Sequence, residues 1–192
     1  HGTTSGSTGE ESPFVMYHWN VAPGGGAVDG RDGFNQIGHL IALGGLVLPN
    51  VETYEQLYPV LFKRQEFRCD AAGPGTYRGG TGADFEVEIK VPAEYAFRGE
   101  GLHTPSCFGA SGGQAGQAGS MELHLVDGEY VEPPKYAVRH YRPLSLRASS
   151  PGGGGWGDPR QRDPARVLRD VRDGVVSSAA AESVYGVVLN QN

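Results

Sequence analysis

Four consecutive glycines near the end of the chain most constrain what it can fold into. They occupy residues 152–155 and are followed by Trp156 and a Gly-Asp-Pro turn. Glycine has no side chain to pack and loses much conformational entropy when it is ordered. A mere spacer would not need an aromatic residue and a tight turn directly after it. The combination predicts a backbone that passes close to another group and is then fixed, with Gly153, Gly154 and Trp156 as candidate interface residues.

Glycine-rich loops also bind phosphates, so that interpretation has to be weighed. A P-loop requires Gly-Lys-Ser/Thr, and the run has neither the lysine nor the hydroxyl. A dinucleotide-binding turn needs a helix that opens at its third glycine. Here Pro159 disfavours helix entry at Asp158. A tight surface or interface loop is therefore the favoured interpretation, and phosphate binding stays open as the alternative.

The composition indicates a globular protein rich in strands and loops. The 192 residues include 31 glycines and 13 prolines, and glycine is used more than twice as often as average. A hydrophobic content of 38% still allows a core. Gly, Ser, Thr and Glu dominate residues 1–12, which we expect to be a flexible linker. The remainder divides into a β-rich module at residues 13–149 and a glycine loop with a docking tail at residues 150–192.

Charge and cysteine content disfavour several classes of protein. Sixteen basic and 22 acidic residues give a net charge of −6, with no basic patch that would suit nucleic acid. No apolar run approaches the roughly 18 residues of a membrane span, and no signal peptide is recognisable. Cys69 and Cys107 are too few for a disulfide framework. We therefore expect a cytoplasmic protein that binds neither membrane nor nucleic acid.

The clearest strand pattern is Phe-Glu-Val-Glu-Ile-Lys-Val at residues 85–91. Apolar and charged residues alternate there, and this period of two predicts a half-buried strand. Its inward side chains would be Phe85, Val87, Ile89 and Val91.

Other segments carry weaker strand patterns. Residues 121–126 repeat the alternation, and Asp127-Gly128 predicts a hairpin turn into residues 129–131. Residues 35–45 are apolar and fit either a helix or a buried strand. Further strands are predicted at residues 14–18, 60–69, 137–141 and 144–148.

The C-terminal tail is the one convincingly helical part of the sequence. Asp163 suits an N-cap, the proline after it suits the first helical position, and Gly174 suits the C-terminal cap. A second short helix begins at Ser177 or Ser178 and ends before Gly186. The sequence therefore predicts a mostly β (α+β) fold: a glycine-loop-rich β-sheet or sandwich-like module with a short C-terminal helical tail.

Few side chains are candidates for chemistry. No His-x-x-x-His or Cys-x-x-Cys pair occurs, so we predict no metal site. His103 precedes Cys107 by four residues, which suggests a reactive pair but equally fits a small buried cysteine. Arg78 lies among small residues that leave its guanidinium room for a carboxylate or phosphate, or for bracing a turn. Glu52 and Glu55 would share a helix face, where a solvated face or an ion pair is commoner than acid/base chemistry.

Several motifs in one order resemble the hydantoinase B family. The segment Asn-Val-Glu-Thr-Tyr-Glu-Gln-Leu-Tyr-Pro is similar to the family's Asn-x-x-x-Glu-x-x-Glu-x-x-Tyr-Pro region, and Gly-Pro-Gly-Thr-Tyr-Arg-Gly-Gly-Thr-Gly is similar to its Gly-x-Gly-x-Tyr-Arg-Gly-Gly-x-Gly segment. The resemblance runs from about residue 13 to 189 and corresponds to the C-terminal part of a B-type chain. One departure is residues 101–106, which replace a charged, Arg-rich segment. The stretches that carry the resemblance are residues 50–59, 67–82, 108–116, 151–159, 164–174 and 185–189.

The resemblance implies part of an ATP-dependent multisubunit enzyme. Members of the family hydrolyse cyclic amides such as hydantoin and 5-oxoproline, or carboxylate ketones. ATP with Mg²⁺ and a divalent metal would then be held by partner chains, namely a hydantoinase A-type subunit and the N-terminal part of the B-type subunit. Within this chain we expect no catalytic residue, with Arg78 and His103 as candidate substrate-binding residues. The alternative is a structural subunit that serves only in assembly.

Overall fold

The computed structural model describes residues 1–5, 11–16, 22–37 and 50–189. Most of the regular structure in these residues is β-strand, as the sequence predicts. In chain order the elements are β1 (Gly2–Ser5), β2 (Glu11–Phe14), α1 (Val51–Leu57), β3 (Val60–Phe67), β4 (Ala83–Ile89), β5 (Ala93–Arg98), β6 (Ser120–Leu125), β7 (Tyr130–Val131), β8 (Tyr136–Tyr141), β9 (Leu144–Ser149), a 3-10 turn (Pro159–Gln161), α2 (Pro164–Arg172) and α3 (Ser178–Ser183).

Two antiparallel sheets form the body of the described chain. One has the strand order β3-β4-β9-β6-β7 and the other β2-β1-β5-β8. The main core lies on the inner face of the five-stranded sheet, around Phe85, Leu123 and Leu144. Tyr95 and Phe97 of the four-stranded sheet pack against that cluster. The sheets therefore face each other across one apolar layer, and the sandwich-like prediction is confirmed.

Strand β4 follows the predicted alternation. Phe85, Val87 and Ile89 are buried, and the acidic residues between them are only partly so. Val91 is an exception, because the strand ends at Ile89 and Val91 is half-buried. The amide of Lys90 still donates to the carbonyl of Pro59, the next partner in register, but the nitrogen of Pro59 carries no hydrogen to donate in return, and the strand ends at Ile89.

The predicted hairpin and the remaining strand predictions hold with small shifts. Gly128 has φ +85° and its amide donates to the carbonyl of Leu125, which closes the turn between β6 and β7. Strand β3 ends at Phe67, two residues short of the prediction, before Asp70 turns the chain with φ +57°. Strands β8 and β9 occupy the predicted regions to within a residue or two.

The opening of the chain differs from the prediction of a linker over residues 1–12. Gly2–Ser5 and Glu11–Phe14 pair as antiparallel strands, and β1 reaches β5 through the pair Gly2 and Ala93. Backbone hydrogen bonding to a neighbouring strand orders these residues despite their polar composition. The predicted strand at 14–18 falls partly outside the described residues, as does most of the ambiguous stretch at 35–45.

The helices are capped as the sequence predicts. The side chain of Asp163 accepts from the amide of Ala165 at the start of α2, and the Ser177 hydroxyl accepts from Ala180 at the start of α3. Gly174 and Gly186 follow the two helices with φ of +72° and +73°. A third helix, α1, was not predicted. Within the described residues, no helix has the length and apolarity needed to span a membrane.

Candidate functional site

The glycine run lies in the middle of a bundle of extended segments. We call this the glycine bundle and define it as residues 22–27, 31–36, 71–82, 107–117 and 150–157. The segment 150–157 is its centre, because its amides and carbonyls bond to the other segments.

Hydrogen bonds from the central segment repeat every three residues. The amides of Gly152 and Gly155 donate to the carbonyls of Gln117 and Gln114, at 3.0 and 2.9 Å. The amides of Gly153 and Trp156 donate instead to the segment 71–82, each at 2.9 Å. A repeat of three is the repeat of a polyproline II-type helix, which has no internal hydrogen bonds and leaves its backbone free to pair sideways.

The carbonyls of the central segment pair with further neighbours. Gly153 accepts from the amide of Gly73 at 2.7 Å, and Gly154 accepts from Ala27 at 2.9 Å. The main chain of residues 151–157 is thus hydrogen-bonded on several sides. Buried peptide groups need such partners, so the bundle replaces the pairing that a sheet or helix would provide.

Close approach of the segments explains why these positions are glycine. A Cβ on Gly152 would lie 1.8 Å from the carbonyl oxygen of Ala71, and one on Gly153 would lie 1.9 Å from that of Gly25. The corresponding distances for Gly154 and Gly155 are 1.9 and 2.1 Å, also to main-chain oxygens. Gly152 and Gly155 meet the segment 71–82, Gly153 meets the segment 22–27, and Gly154 meets the segment 107–117. The prediction of close backbone approach is confirmed, and the group approached is the chain's own main chain.

This geometry bears on the two functional interpretations of the run. The amides of Gly152, Gly153, Gly155 and Trp156 already donate to carbonyls, so they do not form a cradle for phosphate. Gly153 and Gly154 are buried, and Trp156 is half-buried with its ring 5.8 Å from that of Tyr77. A role of Gly153, Gly154 and Trp156 at a subunit interface stays a prediction.

A buried charge network lies against the bundle. Arg162 follows the 3-10 turn, and its side chain is 1% exposed. Its guanidinium forms a two-pronged ion pair with Asp32 at 2.7 and 2.8 Å and a second pair with Asp170 of α2 at 2.8 Å. It also donates to the carbonyl of Thr76 at 3.1 Å. One arginine therefore joins the loop at residues 31–36, the segment 71–82 and helix α2.

The pair of Asp32 and Arg162 stays charged although both side chains are largely removed from water. Burial alone raises the pKa of Asp32, but hydrogen bonds and positive charge from Arg162, together with Arg78, bring that pKa below its ordinary value. Burial alone would lower the pKa of Arg162, but its bonds to Asp32 and the negative charge of Asp170 raise that pKa further. Burial raises the pKa of the nearby Tyr185 to about 12. Asp32 and Arg162 are therefore charged at neutral pH, with a neutral tyrosine beside them.

Arg78 belongs to this network. It is 7% exposed, and its Nε lies 3.3 Å from Asp170 while its Nη1 donates to the carbonyl of Gly79. Its amide donates to Asp32 at 2.8 Å. The bond to the Gly79 carbonyl braces the turn, and the carboxylate that the guanidinium of Arg78 meets is that of Asp170 in the same chain. Binding of substrate by Arg78 stays a prediction.

His103 lies elsewhere, at the rim of an open depression of about 400 Å³. Its ring is 62% exposed and pairs with Glu132 at 2.6 Å, and the remaining lining comes from Leu102 and residues 133–135. The φ of His103 is +65°, a conformation that side chains rarely adopt and that is often found at functional sites. The structure therefore separates the two candidate substrate-binding residues, with Arg78 buried in the network and His103 on the surface.

The other candidate groups have structural partners. Cys107 is half-buried, and its Sγ lies 3.9 Å from the Ser106 hydroxyl. Cys69 is a free thiol on the surface, and partial desolvation together with its neighbour Asp70 raises the pKa of that thiol. Glu55 accepts from the amide of Phe62 at 2.7 Å, which ties α1 to β3 rather than forming a carboxylate pair. Among the described residues, no group of His, Cys, Asp and Glu is arranged to hold a metal ion.

Sequence reasoning missed Asp32, Asp170 and Arg162 as members of one site. Asp32 and Arg162 are 130 residues apart, and no local pattern connects them. The local sequence shows only that Arg162 stands directly before the helix cap Asp163, and this position does not identify its partners.

Comparison with known proteins finds relatives among enzymes. The family model described as hydantoinase B/oxoprolinase matches residues 1–159. The beta chain of the caprolactamase of Pseudomonas jessenii is 36% identical over 182 residues, which cover 90% of this chain and 31% of that protein. The B chain of a candidate D-/L-hydantoinase of Pseudomonas sp. strain NS671 is 32% identical over 85% of this chain and 28% of that protein. The acetophenone carboxylase delta subunit of Aromatoleum aromaticum is 30% identical over 88% and 29%.

A solved structure shares the fold. The crystal structure of ATP-dependent caprolactamase from Pseudomonas jessenii superposes with a TM-score of 0.70 and 34% sequence identity, covering 90% of this chain and 31% of that one. The chain thus spans less than a third of the length of the relatives that it matches.

Proposed function

Because the chain belongs to the hydantoinase B/oxoprolinase family, we propose that it is the C-terminal portion of a B-type subunit in an ATP-dependent complex that opens a cyclic amide. The observation that carries this proposal is its 36% identity to one chain of a caprolactamase across 90% of its length. A lactam, a hydantoin and 5-oxoproline share a ring amide as the reacting group. The substrate class we propose is therefore a small cyclic amide.

The contribution of this chain would be a rigid wall rather than a reacting group. The glycine bundle packs main chain against main chain, and few rotatable side chains lie between its segments. Such a wall holds neighbouring catalytic residues in place, because active-site groups need support from rigid elements. We propose that the catalytic groups lie in the rest of the B-type subunit and that this chain alone has no turnover.

ATP and metal would be bound by partner chains. The amides of Gly152, Gly153 and Gly155 are already paired, so the glycine run offers a nucleotide phosphate no cradle made of these amides. We propose that a hydantoinase A-type subunit handles ATP with Mg²⁺ and that the N-terminal part of the B-type subunit holds a divalent metal. Relatives of the chain are named as subunits, which supports a multisubunit assembly. The free thiols of Cys69 and Cys107 favour a cytoplasmic setting for it.

His103 is the better of the two candidates for contact with substrate or a partner subunit. It is exposed, lies beside an open depression and is held by Glu132. The guanidinium of Arg78 is instead engaged inside the chain. In the assembled enzyme we therefore expect His103→Ala to change the KM for the cyclic amide or the affinity between subunits, while leaving the fold intact.

A second function has its own support. The acetophenone carboxylase delta subunit is 30% identical over 88% of this chain. ATP-dependent carboxylation of a ketone is therefore the alternative reaction, and a purely structural role in assembly is the alternative without chemistry.

Product analysis of the complete complex separates these alternatives. The B-type subunit that contains this chain would be purified with its A-type partner and given ATP with caprolactam, hydantoin or 5-oxoproline, or with acetophenone and ¹³C-bicarbonate. The proposal predicts a ring-opened amino acid, formed together with ADP and without need of bicarbonate. Incorporation of ¹³C into a keto acid would establish the carboxylase alternative instead, and the absence of any product with all four substrates would contradict the enzymatic proposal.

A further inference from the structure

The last part of the chain has a small core of its own. We call residues 158–189 the strap. Val167, Val176, Ala181 and Tyr185 form its buried cluster, and the partly buried residues packed against them all lie between residues 171 and 189. No member of the main core cluster comes from the strap among the described residues. The apolar side chains of this cluster therefore pack mainly on one another.

The strap is joined to the rest of the chain through polar groups. Arg162 reaches Asp32, and Asp170 reaches Arg78, as described above. At the other end of α2, the Asp70 carboxylate accepts from the amide of Ser177 at 2.7 Å, and the amide of Asp70 donates to the carbonyl of Val175 at 3.0 Å.

We propose that the strap is a docked unit that detaches from the glycine bundle by local opening while both sheets stay folded. Opening would break ion pairs and hydrogen bonds, whose groups water can solvate, but would leave the apolar cluster of the strap intact. Units that expose little apolar surface when they open do so at a lower free energy than the global unfolding of the chain. The detached state would uncover Asp32 and Arg78, which the strap otherwise covers beside the bundle.

Arg162 is the central contact of the docked state. It is the residue that pairs with a carboxylate on each side, Asp32 in the body and Asp170 in the strap. Replacing it with an uncharged residue takes away the cation that both carboxylates share. Removing one partner of a buried pair is strongly destabilising, far more so than losing an exposed pair.

Hydrogen exchange of the 192-residue chain, followed by mass spectrometry, tests the proposal. The variant is Arg162→Met, and the matched control is Arg169→Met, an exposed arginine of helix α2. We expect the amides that bridge strap and body, those of Asp70 and Ser177, to exchange about 100-fold faster or more in Arg162→Met. The amides of the β4–β9 ladder should keep their wild-type rates, and Arg169→Met should match wild type throughout.

A second pair of variants decides the question if Arg162→Met does not fold. Asp70 has φ +57°, so Asp70→Asn keeps both an acceptor oxygen and a residue that tolerates this conformation. Asp70→Gly tolerates the conformation but removes the acceptor. We expect faster exchange at the strap in the glycine variant only.

Two results would overturn the proposal in either series. Equal acceleration of the strap and of the β4–β9 ladder would mean that the strap unfolds only with the whole chain. Unchanged exchange at the strap would mean that these polar contacts do not hold it.

Discussion

Replacing Gly153 with alanine tests whether the glycine bundle requires glycine for steric reasons. The added Cβ would lie 1.9 Å from the oxygen of the Gly25 carbonyl and 2.3 Å from its carbon, both well inside the 3.0 Å that Cβ atoms keep from other atoms. The obstacle is main chain, so no flexible side chain can move aside. The central segment would have to shift, and the hydrogen bonds of Gly153 to Gly80 and Gly73 would weaken with it.

The expected loss follows from these two effects. Overpacking of a rigid interior costs about 1–3 kcal/mol, and weakening two hydrogen bonds costs about 1 kcal/mol each. We therefore expect Gly153→Ala to lower the free energy of unfolding by about 3–5 kcal/mol. For a chain of this length that corresponds to a fall in melting temperature of roughly 6–20 °C.

Gly26→Ala is the matched control. Gly26 lies in the same bundle, but the nearest atom to its added Cβ is the carbonyl oxygen of Gly154 at 4.0 Å. Its alanine variant should stay within about 1 kcal/mol of wild type. Urea and thermal unfolding followed by circular dichroism measure both variants. If Gly153→Ala unfolds within about 1 kcal/mol of Gly26→Ala, the steric account of the glycine run is wrong.

The charge of Asp32, the ring of Trp156 and the inactivity of the isolated chain can each be tested directly. In the folded chain the pKa of Asp32 lies below its ordinary value of 3.8, so the ionised carboxylate and its pair with Arg162 should stabilise the fold above that pH. This contribution is lost as the pH falls through the lower pKa of the folded chain. Urea unfolding measured from about pH 2 to about pH 6 should show the loss in wild type and not in Asp32→Asn. Trp156→Ala removes the ring that packs on Tyr77 and should weaken assembly with the larger subunits, measured by size-exclusion chromatography, while the circular dichroism of the strands is kept; unchanged assembly would remove Trp156 from the interface. The purified 192-residue chain should show no ATPase, hydantoinase or carboxylase activity, and turnover by this chain without partners would contradict the proposed division of roles.

The sequence predicted those parts of the fold that depend on neighbouring residues. The alternation in β4 and the caps of α2 and α3 are local patterns, and they hold because burial and capping act within a few residues. Strand β5 and helix α1 escaped prediction. Residues 93–98 lack a clean alternation of apolar and polar residues, and α1 is only seven residues long with no buried residue.

The site was predicted only in part, because its contacts are long-range. The glycine run indicated a close approach, but its partners come from other segments that the sequence does not connect. The network of Arg162 with Asp32 depends in the same way on chain topology. Arg78 illustrates the limit: its small neighbours predicted room for a carboxylate, and the carboxylate that it meets is that of Asp170, far along the chain.

We propose that the glycine bundle is what this chain contributes to an ATP-dependent, amide-opening enzyme. The most direct test is the rate of ring opening by the complete complex carrying Gly153→Ala or Gly26→Ala, measured beside the amount of assembled complex. We expect Gly153→Ala to lose both assembly and ring opening, while Gly26→Ala keeps both near wild type. Full ring-opening activity in an assembled Gly153→Ala complex would contradict it.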